Sequence, residues 1–236
     1  MKRILLFSFI IFFIDESYGQ LEFRNSNVGR LINMEDFNGH SLLKKYDPAI
    51  AGSPFINNDW VPAKITLSKG KEIGPLLVKL NIESNELYFL DSTGRELIAA
   101  EGLVKKVDCL SYYSKDSIRY VFKNGYPDVD KQNEDYYYQV LTEGKIELLV
   151  KIFKYISTTK DAFTGEISKD FEEGGNVLYI YSNYFMQTFH PTKSFVISLL
   201  KDKEQVINIF INTNKINFKK NTDLIKLFNY YNGLER

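Results

Sequence analysis

A chain of 236 residues carrying 30 basic and 30 acidic side chains has no overall field to draw it toward nucleic acid or an anionic membrane. Its one cysteine, Cys109, cannot close an intramolecular disulfide, which excludes the stapled scaffolds of small secreted domains and leaves the fold to an apolar core. A chain of this length can bury such a core as one large domain, or as one domain with a small appendage.

The first residues carry an address. Lys2 and Arg3 precede an apolar run over residues 4–14, and the small residues Ser17 and Gly19 follow, so a secretory signal peptide over residues 1–19 is predicted, cleaved before Gln20. The run stops at Asp15 and Glu16, short of the ~20 apolar residues that a membrane span takes, so no transmembrane anchor is expected after cleavage. Cys109 lies far from the cleavage point, which removes a lipid-bearing first residue from consideration. No Asn-x-Ser/Thr acceptor occurs, which favours bacterial export to the periplasm or the medium.

Residues 20–59 show no sustained period and read as an irregular arm or an edge strand. From Trp60 the two-residue period of half-buried strands sets in. Val61, Ala63, Ile65 and Leu67 alternate with Pro62, Lys64, Thr66 and Ser68 up to a turn at Lys69-Gly70, and Leu76, Val78, Leu80 and Ile82 share one face of the next strand. Ser84-Asn85 turns the chain into residues 86–90, Asp91-Ser92-Thr93-Gly94 closes the next hairpin, and Gly102 separates strands over 96–100 and 103–110. Ile118, Tyr120 and Phe122 alternate ahead of Asn124-Gly125, a dipeptide suited to a tight hairpin turn. Strands over 136–141 and 146–156 flank Glu143-Gly144, and a last strand over 177–184 follows a break at Gly174-Gly175. The spacing predicts a predominantly antiparallel sheet over residues 60–187, as a meander, a sandwich or a strongly curved sheet.

The period lengthens over residues 188–236. Pro191 suits the first turn of a helix running to about Leu200, Asp202 with Gln205 suits a capping box, and Asn221 or Thr222 opens a final helix closing near Gly233. With two to three C-terminal helices packed on the sheet, the predicted class is α+β.

The chemical inventory singles out no catalytic residue. A serine hydrolase needs a histidine base, and only His40 and His190 are available, with no Gly-x-Ser-x-Gly elbow. His190, just before Pro191, reads as a capping or packing residue, and Cys109 as a small buried hydrophobe. Zinc needs His/Cys clusters that are missing from the sequence. Asp128, Asp130, Glu134 and Asp135 read as a solvated acidic loop, because Gln132, Asn133 and Gln139 break the calcium-loop pattern. The 30 acidic residues single out no carboxylate pair for glycoside hydrolysis, and no phosphate-binding glycine loop occurs. No metal and no cofactor are expected.

What the sequence offers is aromatic surface. Tyr137, Tyr179 and Tyr181 are the candidate partner-binding residues, weighed against the packing of aromatics across strands, and alternation sends Tyr137 to the face opposite Tyr136 and Tyr138.

The chain resembles uncharacterised secreted, β-rich proteins of Bacteroidota. The resemblance rests on the leader ending before Gln20, Gly52-Ser53-Pro54-Phe55, Asn58-Asp59-Trp60, Asp223-Leu224-Ile225-Lys226-Leu227 and Tyr230-Tyr231-Asn232. It implies export and a sheet with terminal helices, and no established activity or catalytic residue comes with it. The expected function is that of a noncatalytic binding module of the cell envelope or the medium, its partner a protein, glycan or lipid of the envelope. A periplasmic carrier of a lipid or other hydrophobic ligand is the alternative, and a hydrolase with an unrecognised site the second.

Overall fold

The computed structural model describes residues 49–109 and 120–234; the stretch read as a leader, the arm through residue 48 with His40, and residues 110–119 lie outside the described residues. Strands β1 (Ile50–Ala51), β2 (Val61–Leu67), β3 (Glu72–Asn81), β4 (Glu86–Leu90), β5 (Glu96–Ile98) and β6 (Val104–Cys109) are followed by β7 (Tyr120–Lys123), β8 (Tyr138–Thr142), β9 (Glu147–Lys160), β10 (Ile167–Ser182) and β11 (Phe185–Thr188). They form one open sheet in the order β1-β10-β9-β8-β7-β6-β2-β3-β4-β5, with β11 added beside β10. Neighbours are antiparallel except β1, which runs parallel to β10 at Lys169 and Asp170 and makes the sheet mixed. Helices α1 (Lys193–Leu199), α2 (Glu204–Asn214) and α3 (Asn221–Gly233) close the chain, as the α+β reading expects.

The alternation read from residue 60 onward is the alternation seen. Ala63 and Ile65 of β2 face inward, with Leu76, Val78 and Leu80 of β3, while Lys64 faces water and pairs with Glu72. β2 is the pivot: the β3–β5 meander extends from one side of it and the β6–β10 meander from the other. The sheet curls far enough that Phe55 bridges to Asn81, the Lys154 amide donates to the Ile82 carbonyl (3.4 Å), and Ile152 of β9 packs on the β2–β4 core.

The other half carries two further cores. On one face Ile146, Leu148, Ile180 and Phe189 meet Val196, Ile207, Leu224 and Phe228 of the helices. On the other, Tyr138, Val140, Leu149 and Tyr179 lie beneath Tyr126 and Met186. Burying the amphipathic face of a helix against a sheet is what stabilises helices of this length, which are marginal alone.

Several local readings are corrected. Asn124-Gly125 does not close a tight hairpin: Gly125 has φ +88°, but the chain continues through a loop to residue 137 before β8 begins. Gly174-Gly175 is a bulge and not a break, with the register shifting between Glu173 and Asn176 while β10 runs on from Ile167 to Ser182. A separate β11 follows the turn at Asn183-Tyr184. The first helix starts at Lys193, after Pro191, with the Thr192 hydroxyl accepting from the Phe195 amide. Asp202 does not cap α2; it sits in a 3-10 turn, where its carboxylate accepts from the Tyr231 hydroxyl and from Lys145.

One side chain fastens α3 to the sheet. Asn232 accepts from the Ile146 amide (3.0 Å) and donates to the Ile146 and Glu143 carbonyls (2.8 and 3.2 Å). Gly144, at φ +143°, leaves room for it, since a Cβ there would lie 2.6 Å from Asn232 Cγ. Replacing Asn232→Ala removes these bonds and is expected to destabilise the fold by about 1–3 kcal/mol. Urea unfolding measures this directly; an unchanged midpoint would contradict the role given to Asn232.

Candidate interaction surface

The three tyrosines singled out from sequence all lie against packing partners. Tyr137 is half-buried on the face opposite Tyr136 and Tyr138, whose rings lie 5.1 Å apart, and its hydroxyl donates to the Val104 carbonyl (3.1 Å). Tyr179 is only 1 % exposed; its ring meets Tyr138 edge-on at 5.4 Å and its hydroxyl donates to Asp130 (2.9 Å). Tyr181 is half-buried, edge-on to Tyr126 at 5.0 Å. Tyr179 and Tyr181 thus belong to the aromatic cluster that docks the loop between β7 and β8, and Tyr137 packs on the largely aliphatic core of β2–β4 and β6.

The polar groups offer little chemistry. Glu147 accepts from Tyr126 and from Lys123 (2.8 Å), so its carboxylate is occupied by donors, and burial followed by the Glu147 charge keeps the Tyr126 hydroxyl protonated. Such a set is an ion pair shared with a hydrogen-bonded hydroxyl. His190 is exposed, its ring 6.2 Å from that of Phe195. Asp130, from the acidic loop, holds Tyr179 and Thr188 (2.9 and 3.0 Å), and among the described residues no three His, Cys, Asp or Glu side chains are placed to hold a metal ion. Beneath the curled sheet, Ile65, Leu76, Val78 and Phe89 line an apolar cavity of about 10 Å³, roughly the room of one water molecule and far below that of an acyl chain.

Exposed apolar groups gather elsewhere. At the Gly174-Gly175 bulge the Phe153 ring lies where a Cβ on Gly174 would stand, so glycine is required, and Gly175 takes φ +86°. Outside this bulge β9 and β10 pair with each other as a ribbon from Lys154 and Glu173 to Lys160 and Ile167, with the two-residue β1 alongside β10 at Lys169 and Asp170. Lys154 clasps its base, its ammonium donating to the Ser53 and Phe55 carbonyls (2.8 Å each). Direct cross-strand pairs share a face. One face is polar, with Tyr155 and Ser157 donating to Glu172 (2.9 and 2.6 Å); the other is mixed, with Ile156 and Phe171, then Thr158 and Lys169, then Lys160 and Ile167, of which Ile167 is 61 % exposed.

The turn at residues 161–166 is ordered by its own bonds. Asp161 accepts from the Phe163 and Thr164 amides (2.8 and 2.7 Å), bonds that lower its pKa, and its amide donates to the Glu166 carbonyl (2.8 Å). This leaves Phe163 at the apex, 99 % exposed. A second aromatic pair, Tyr184 and Phe185, is exposed at the far end of β10.

Sequence reasoning passed over the ribbon because the glycine pair was read as a terminator. Two signals could have found it: the Asp161 to Gly165 turn, and the alternation of Ile167, Lys169 and Phe171 with Ser168, Asp170 and Glu172.

Cys109 gives a direct check on accessibility. Partial burial, with Asp108 beside it, pushes its thiol up to about 12, so little thiolate is present near neutral pH. A disulfide reagent should therefore react slowly with the folded protein and rapidly once denaturant unfolds it; immediate native reaction would contradict this burial.

Comparison with known protein families, with curated proteins and with solved structures found no match to this chain.

Proposed function

We propose that the chain is an exported, noncatalytic protein of the cell envelope or the medium that works as a binding module, with the β9–β10 ribbon as its contact arm. The observation that carries this reading is the ordered tip that holds Phe163 in solvent, backed by the exposed Ile156 and Ile167. An isolated apolar side chain on a surface needs no explanation, but Ile156 and Ile167, exposed on one face of a ribbon whose ordered turn presents Phe163, offer a partner a set of apolar contacts, with Thr158, Lys160 and Lys169 beside them. The charged start and apolar run at residues 2–14 support export, as does the resemblance to secreted Bacteroidota proteins. The balanced charge favours a protein partner met through apolar contacts over one steered by charge.

The carrier reading has less behind it, because the cavity beneath the sheet holds about 10 Å³. The test is capture from the protein's own envelope fraction, wild type against the double variant Phe163→Ser, Ile167→Ser, with protein and lipid both read by mass spectrometry. Both substitutions are at solvent-facing positions, so the melting temperature should hold, while partner recovery falls about tenfold or more. Recovery of one partner at equal yield by both proteins would remove the ribbon from the function, and lipid retained equally by both would favour the carrier.

A further inference from the structure

Among the described residues β11 is an open edge. The pairing of Ser182 with Phe185 and of Ile180 with Gln187, continued by the bond from the Phe189 amide to the Leu178 carbonyl (2.8 Å), fixes which backbone groups face β10. By alternation the N–H and C=O groups of Met186 and Thr188 face away from it. Among the described residues these groups have no backbone partner. Natural sheets blunt such edges with charges, proline or short strands. β5, at the opposite edge, is three residues long and opens on Arg95 and Glu96, and the outer edge of β10 in the ribbon is covered at Lys169 and Asp170 by β1. From Val177 through Phe189 the chain carries no Asp, Glu, Lys or Arg, and a carboxylate from elsewhere, that of Asp130, accepts from the Thr188 hydroxyl (3.0 Å).

The turn leading into β11 adds a second observation. Asn183 and Tyr184 have φ +51° and +60°, the left-handed backbone of a two-residue hairpin, where glycine is favoured in the second position. Holding a tyrosine there costs about 1–2 kcal/mol. Its ring is 89 % exposed and the next side chain, Phe185, is 62 % exposed, so the strain presents aromatic surface beside the open edge.

We propose that β11 pairs antiparallel with β11 of a second copy of the chain, about a two-fold axis through Gln187. Met186 then stands opposite Thr188 of the partner subunit, and every outward N–H and C=O of the two strands gains a partner. Phe185 falls opposite Phe189 of the partner subunit, and Tyr184 opposite His190 of the partner subunit. β11 itself carries no charge to set against its copy, and Asp130 beside it has its carboxylate taken up by the Thr188 hydroxyl (3.0 Å) and the Tyr179 hydroxyl (2.9 Å). It is independent of the ribbon, which lies at the other end of β10. A contact this short makes a weak, concentration-dependent dimer.

Sedimentation velocity of the purified protein from about 1 to about 200 µM tests the pairing, since association this weak depends on concentration. The wild type should pass from monomer to dimer. Gln187 faces its own copy across the axis, so Gln187→Lys and Gln187→Glu should each stay monomeric while an equal mixture of the two dimerises. That rescue separates lost pairing from lost folding. A wild type that stays monomeric, a dimer that survives Gln187→Lys, or a mixture that stays monomeric although both variants melt as the wild type does would each overturn the proposal.

Discussion

The way β9 leaves the sheet governs the rest of the molecule. As far as Val150 the strand is flanked by β8 on one side and β10 on the other. Past Ile152 it has no β8 partner, and Lys154 supplies the replacement: its amide reaches Ile82 across the curl, and its ammonium reaches the Ser53 and Phe55 carbonyls. Charge-assisted bonds to carbonyl oxygens are stronger than neutral ones. The same residue thus holds the two ends of the curled sheet near each other and anchors the ribbon. On the opposite strand Gly174 yields its side-chain space to Phe153, and the register of β9 and β10 shifts there.

This arrangement divides the aromatic residues into two populations. Tyr126, Tyr136, Tyr138, Tyr179 and Tyr181 meet edge-on or tilted at 5.0–5.7 Å, and they bind a long loop to the sheet without a disulfide. Each such ring pair adds about 0.5–1.5 kcal/mol beyond the area it buries. Phe163, Tyr184 and Phe185 stand on turns whose backbone is fixed while their rings remain in water. The first population explains how a chain with one cysteine holds together. The second is where recognition can occur, because turns held by rigid strands position side chains without burying them.

Much of the fold was legible in the sequence. Strict alternation at Val61 to Leu67 and at Leu76 to Ile82 reported half-buried strands, and the alternation of Tyr136, Tyr137 and Tyr138 assigned their faces. Local rules misled where a distant partner took over the group concerned. Asn124-Gly125 satisfies a hairpin turn chemically, yet the Asn124 side chain donates to the Val104 carbonyl and the following Tyr126 packs on the sheet, so the chain runs on as a loop. Asp202 has the spacing of a helix cap, but Tyr231 and Lys145 claim its carboxylate. Exposure was the least legible property. Tyr179 and Phe163 are both aromatics next to strand-forming residues, and only the long-range pairing of β10 decides that one is covered and the other bare.

The ribbon's role as contact arm is tested most directly by placing a photo-crosslinking amino acid at position 163, and in a separate protein at position 77, where Leu77 is exposed on the body of the sheet. Irradiation in the living cell should trap a discrete adduct from position 163 and none from position 77. An adduct from position 77 with none from position 163 would show that the partner meets the sheet itself and that the ribbon is not the arm.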